Sequence, residues 1–124
     1  MGVTNKTPDF LAKFPFGKVP ACETADGPIF ESNAIAYYFA SFKADALLGK
    51  TQYERALVQQ WMAVADNEVA PAVAGWYYPL MGYAPMNEAA IKKAKEDIKK
   101  VLTTLDKALA PKTFLVGESV TLAD

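Results

Sequence analysis

The chain has 124 residues, 52% of them hydrophobic and 22% charged, and 13 Lys+Arg against 14 Asp+Glu leave a net charge of -1. That length suits one domain, or one and part of a second, and such a composition buries a core, so wholesale disorder is excluded, as is nucleic-acid binding by charge alone. With no His and one Cys, Ser-His-Asp and Cys-His catalysis, His- or Cys-cluster metal sites and intrachain disulfides are excluded too.

The opening Met1-Gly2-Val3-Thr4-Asn5-Lys6 lacks the apolar core of a signal peptide, and Lys6 stands where a myristoylation signal wants Ser or Thr. No apolar run approaches the roughly 20 residues that span a bilayer. A cytoplasmic protein is the expectation. Thr7-Pro8-Asp9 then reads as a helix start, with a capping Thr, Pro in the first turn and an acid at the positive end of the dipole. Phe10, Leu11 and Phe14 give it an apolar face and Pro15 stops it, which predicts a helix over 8–14. Phe16 to Cys22 reads as extended, Asp26-Gly27 as a tight turn and Pro28-Ile29-Phe30 as the return strand, so a hairpin is predicted over 17–30.

Glu31-Ser32-Asn33 caps a helix predicted over 32–43, with Ile35, Tyr38, Phe39 and Phe42 at helical spacing. Residues 44–50 read as a linker between a first part, 1–43, and a helical part, 51–124. In the latter, Leu57, Trp61, Val64, Ala65 and Val69 make one face, and Pro71 is expected to kink or end the helix. Pro79, Gly82 and Pro85 break the segment after the aromatic run Trp76-Tyr77-Tyr78. Asn87 caps a long helix over 88–109 whose stripe is Ile91, Ala94, Ile98, Val101, Leu102, Leu105 and Leu109. Its lysines read as a solvated face. Near the end, Thr121 and Asp124 have capping-box spacing, so a helix is expected to start there, and Val120 is placed to staple against it.

Val19-Pro20, a hairpin, and Glu31-Ser32-Asn33-Ala34-Ile35 at a helix start resemble the N-terminal domain of glutathione transferases. Ser119-Val120-Thr121-Leu122-Ala123-Asp124 resembles the capping box of their helical domain. Thr4 to Leu11, Lys13 to Ala21, Phe30 to Tyr38, Gln60-Trp61 with Ala65-Asp66, and Phe114 to Glu118 are similar to the gamma-subunit family of the translation elongation factor 1 complex. The resemblance implies an α+β/α fold: an incomplete thioredoxin-like N-terminal part (helix, β-hairpin, helix) followed by an all-α transferase-like helical domain. It also implies that the chain starts just before the second helix of the thioredoxin-like domain and is a fragment of a longer protein.

For function the resemblance implies a scaffold that anchors the beta- and delta-type exchange subunits in translation elongation, with no metal, no cofactor and no direct contact with nucleic acid or membrane. It leaves homodimerisation open. The rival is a transferase that joins glutathione or a related thiol to an electrophile. The activating Tyr, Ser or Cys of that family lies on the stretch expected to be missing, so no catalytic residue is assigned. A thiol-peptide site would use Lys18, Val19, Pro20, Glu31, Ser32 and Asp66. In the family the proline is cis, the residue before it pairs with the cysteinyl backbone, and Ser32 at a helix tip holds the γ-glutamyl carboxylate while Glu31 faces its ammonium. Lys18 would meet the glycyl end, and Asp66 would reach the ligand of a partner subunit. Each also has a purely structural reading: a strand-end proline, a plain helix cap, an interhelical hydrogen bond. Cys22, on a strand and away from any helix tip, reads as structural. Trp76, Tyr77, Tyr78 and Tyr83 read as core or interface packing rather than a substrate pocket.

Overall fold

Local chemistry explains the first helix of the computed structural model, which describes residues 2–124; Met1, the first residue of the expected N-terminal part, lies outside them. Helix α1 (Pro8–Lys13) has Thr7 as N-cap, its hydroxyl accepting from the Phe10 N–H at 3.4 Å. Phe14 is buried behind it and stacks on Phe10 at 4.8 Å between centroids. Lys13 bridges to Glu23 at 2.8 Å, tying α1 to strand β1 (Ala21–Thr24). That strand pairs antiparallel with β2 (Gly27–Phe30), Ala21 opposite Phe30 and Cys22 opposite Ile29.

The hairpin is shorter than expected. Residues 17–20 are irregular, and the loop is Ala25-Asp26, one residue earlier than predicted. Gly27 already pairs with Thr24 while carrying φ 133, so it supplies the unusual backbone from inside the strand. Among the described residues the sheet has two strands. Helix α2 (Ser32–Ser41) follows and ends two residues sooner than 43. Its Phe39 and the adjoining Phe42 are 53% and 68% exposed, so part of the predicted apolar face lies open to solvent, its rings packed on Tyr38 of the same helix. The expected linker contains a short helix, α3 (Ala44–Leu47), with Leu48 buried after it.

Helix α4 (Gln52–Val64) begins at a full capping box: the Thr51 hydroxyl accepts from the Glu54 N–H and the Glu54 carboxylate accepts from the Thr51 N–H. A π-helical turn, Ala65–Val69, continues it into α5 (Ala70–Leu80). Pro71 therefore neither ends nor breaks the run. It falls in the first turn of α5, directly behind the π turn, where the five-residue hydrogen bond from Ala70 N–H to the Ala65 carbonyl has already loosened the ladder. The exit of α5 is a Schellman motif, with Tyr83 N–H to the Tyr78 carbonyl at 2.9 Å, Gly82 N–H to the Pro79 carbonyl at 3.1 Å and Gly82 at φ 75. Helix α6 (Glu88–Leu109) runs as predicted, capped by Asn87 accepting from the Ala90 N–H at 3.0 Å. It crosses α5 closely: a Cβ at Gly75 would come within 3.0 Å of Ala94 Cβ.

The core of the helical part is α4 against the tail. Val58, Met62 and Val116 form its buried centre, with Leu57, Trp61, Leu115, Leu122 and Ala123 packed around it. Leu57 and Trp61 of the predicted stripe thus flank the core, while its buried centre on α4 lies one position further on, at Val58 and Met62. The tail is held by polar groups. Leu122 N–H donates to the Leu47 carbonyl at 2.9 Å, and one carboxylate, Asp124, accepts from the N–H groups of Leu115 and Thr121 at 2.8 and 2.9 Å. The Asp124-to-Thr121 half of the box forms as expected, but the Thr121 hydroxyl accepts from Ala123 rather than Asp124, and Val120 is 56% exposed rather than stapled. No helix among the described residues is long and apolar enough to cross a membrane.

Candidate functional site

The loop after α1 and the tip of α2 converge on a cavity of about 120 Å³ lined by Phe14, Phe16, Gly17, Lys18, Val19, Pro20, Phe30, Glu31 and Ser32. Gly17 sets the loop. Its φ is 57, and an added Cβ would meet the Asn5 carbonyl at 2.8 Å and Leu11 at 2.9 Å. The Gly17 carbonyl accepts from Asn5 Nδ2 at 2.7 Å and from Lys6 Nζ at 3.0 Å. That pinned turn delivers Lys18, Val19 and Pro20 to the cavity, and the Val19-Pro20 bond is cis. Neither the N–H nor the C=O of Val19 has a protein partner among the described residues.

On the facing side, Glu31 has φ 71 without being glycine and makes no side-chain cap bond. Ile35 N–H bonds back to the Glu31 carbonyl at 3.0 Å, so the helix starts properly, but its first amides stay open. The N–H groups of Ser32, Asn33 and Ala34 and the Ser32 hydroxyl have no protein acceptor or donor among the described residues. Free amides at a helix start attract a carboxylate. The cavity is thus lined by Ser32 with its unpaired amide and hydroxyl, by Val19 with its open backbone pair, and by the cationic Lys18. It is smaller than the roughly 300–1,000 Å³ of drug-sized pockets, so it suits one end of a short peptide rather than a whole bulky ligand.

Five of the six residues read from sequence, Lys18, Val19, Pro20, Glu31 and Ser32, therefore line one cavity. Asp66 does not line it. Exposed on the π-helical turn, its carboxylate accepts from Asn33 Nδ2 at 2.6 Å. Sequence reasoning missed Asn33 and Gly17. A Gly two residues ahead of Val19 was the available signal for the second; nothing local marks the first. Cys22 is half-buried on β1, its thiol near the Glu23 carbonyl at 3.7 Å. Tyr77, Tyr78 and Tyr83 are exposed, and Tyr78 lies against both of the others, edge to face with Tyr83 at 6.1 Å.

A thioredoxin-like hairpin and helix ahead of a helical part, with a cavity at the cis-proline turn, is the arrangement of the glutathione transferase fold. The family model described as glutathione S-transferase, N-terminal domain, matches residues 2–41, and that described as glutathione S-transferase, C-terminal domain, matches residues 69–124. A solved poplar glutathione transferase F1 superposes with TM-score 0.84 at 31% identity, over 96% of this chain and 58% of that one. Ure2p in complex with glutathione superposes with TM-score 0.87 at 18% identity, over 98% of this chain and 60% of that one, which speaks to fold alone.

Within that class the chain matches elongation factor 1-gamma. It is 50% identical to elongation factor 1-gamma-A of Xenopus laevis and 51% identical to elongation factor 1-gamma of Artemia salina, each over 124 residues. The match takes in 99% of this chain, which spans 28% of the length of either relative.

Proposed function

We propose that the chain is an interaction module of the elongation factor 1-gamma type, which anchors nucleotide-exchange subunits of the beta and delta kind for translation elongation in the cytoplasm. The observation that carries this reading is the level of identity: 50% to an elongation factor 1-gamma against 31% to a transferase of the same fold, over nearly the same residues. The exposed aromatic side chains of α2 and the α5–α6 turn support it, because contiguous apolar surface marks a place for another protein. The reading divides the chain into a thioredoxin-like part, 1–43, a linker, 44–50, and a helical part, 51–124.

A second reading rests on the cavity. The open amides at Ser32 and the open backbone at Val19 favour binding of glutathione or a related thiol peptide, with Ser32 on the γ-glutamyl carboxylate, Glu31 toward its ammonium and Lys18 toward its glycyl end. No residue is assigned to activate the thiol. Binding and scaffolding are compatible, while turnover would make the protein a transferase.

One set of measurements separates the readings. The chain, immobilised, is offered purified exchange subunits, and the same preparation is titrated with glutathione by calorimetry and assayed for conjugation to an aryl halide. Capture without turnover is expected. Ser32→Ala should weaken glutathione about tenfold, as loss of a hydrogen bond to a charged group does, and leave capture unchanged. Failure to capture any exchange subunit overturns the scaffold reading, and turnover lost in Ser32→Ala establishes the transferase.

A further inference from the structure

Asp26 is the one Asp or Asn in the sequence that Gly follows. Such a pair can close a small ring on itself. The Gly27 nitrogen gives up its proton and attacks Cγ of Asp26, water leaves, and a succinimide forms. Water then opens the ring at either carbonyl. One opening gives back aspartate; the other gives isoaspartate, in which the main chain runs through the side-chain methylene. No oxidant or cofactor enters, and the mass is unchanged. Glycine permits the closure because it has no Cβ to crowd the approach. A Cβ at Gly27 would meet nothing within 4 Å, so no neighbouring group shields this side of the turn. Asp26 itself is exposed in the hairpin loop.

The fold opposes the ring through the turn backbone and through the carboxylate. Gly27 is in register with Thr24 across the ladder. The Thr24 hydroxyl donates to the Gly27 carbonyl at 2.9 Å and accepts from the Asp26 N–H at 3.1 Å. The Asp26 carboxylate accepts from the Tyr38 phenol of α2 at 2.6 Å. A bond to an ionised acceptor is stronger than a neutral one, and closing the ring consumes that carboxylate, so the bond has to be given up on the way. We infer that Asp26-Gly27 is a site of spontaneous isoaspartate formation and that Tyr38 guards it, setting the rate by holding the Asp26 carboxylate. Conversion lengthens the main chain between Thr24 and Gly27 and takes the carboxylate off its side chain. The ladder register and the tie to Tyr38 are then lost together, and the hairpin loop comes free of α2. The new α-carboxylate is of the kind that protein isoaspartyl methyltransferases methylate from S-adenosylmethionine.

The test incubates the folded chain at neutral pH and physiological temperature and follows methyl transfer from S-adenosylmethionine by such a methyltransferase. Electron-transfer fragmentation of the tryptic peptide from Val19 to Lys43 locates the isomer. Tyr38→Phe should convert about three- to tenfold faster than wild type, the factor that one hydrogen bond of ordinary net strength sets on a rate. Asp26→Glu, whose ring would be larger and slower to close, should give no signal at residue 26. Val58→Ala, in the core of the helical part, should convert at the wild-type rate. Unfolded in urea, wild type and Tyr38→Phe should convert at a common rate, faster than folded wild type. Equal rates for folded wild type and folded Tyr38→Phe would overturn the guard. Val58→Ala accelerating conversion as much as Tyr38→Phe does would overturn it too, by tracing the effect to lost stability. No isoaspartate at residue 26 in either folded chain, over a time in which the unfolded chain converts, would overturn site and guard alike.

Discussion

Gly17 and Glu31 are the two residues on whose backbone the cavity depends. Both have positive φ, 57 and 71, but only Gly17 has the side chain, or lack of one, that makes this cheap. At Gly17 the crowding adds to the torsion, since a Cβ would sit 2.8 Å from a backbone oxygen. Gly17→Ala should therefore destabilise the chain by about 1–3 kcal/mol, the scale of an incompatible left-handed position, read as a lower urea midpoint by circular dichroism. A midpoint equal to wild type would show that the loop relaxes freely. Glu31 bears a comparable torsional cost at the mouth of the cavity with no hydrogen bond from its side chain to offset it. At this scale the sequence shows chemistry that is local. Ser32 at a helix start and Val19-Pro20 before a hairpin are legible because caps and turns are read within four residues. The positive φ of Glu31 leaves no mark, since Glu is not a residue that turns select, and the Asn33–Asp66 bond spans a separation that no motif encodes.

Elements are joined by a few polar ties, and one of them titrates. Tyr38 on α2 donates its phenol O–H to the Asp26 carboxylate in the hairpin loop at 2.6 Å. That hydrogen bond, chiefly, raises the phenol pKa above the ordinary tyrosine value near 10. A folded pKa above the unfolded one means that the folded state keeps its proton longer. The tie is then at full strength below the unfolded pKa and is lost as pH rises through the folded one. Wild type should thus exceed Tyr38→Phe in urea midpoint near about pH 8, and the two should converge as pH rises past the ordinary tyrosine value near about 10. A constant difference across that range would mean that the bond contributes nothing. The element pattern itself was largely legible: α1 and α6 follow from Thr7, Pro8 and Asn87, whose cap chemistry is explicit. The passage through Pro71 was not. A proline reads as a stop, and here a π turn directly ahead of it carries the helical run through.

At the scale of the molecule, what matters is which apolar face meets which neighbour. Periodicity marks apolar faces on α2, α4 and α6 alike, but burial is unequal: Val58 on α4 is 1% exposed, whereas Leu102 on α6 is 55% and Phe42 at the end of α2 68%. The difference lies in the tail. Residues 115–123 fold back over α4 because Asp124 gathers the amides of Leu115 and Thr121 and Leu122 bonds to α3. That brings Val116 onto Val58 and Met62. A helical stripe in a sequence cannot reveal this, since the covering element is an irregular segment with no period of its own. The consequence is measurable. Val58→Ala removes two methyl groups from a closed site and should cost about 2 kcal/mol, transfer and cavity terms together. Leu102→Ala removes more carbon from a site already half in water and should cost about 0.5 kcal/mol or less. Urea midpoints of the two variants at equal m-value decide the matter. If Leu102→Ala proves the costlier, the stability of the helical part resides along α6 and not between α4 and its tail.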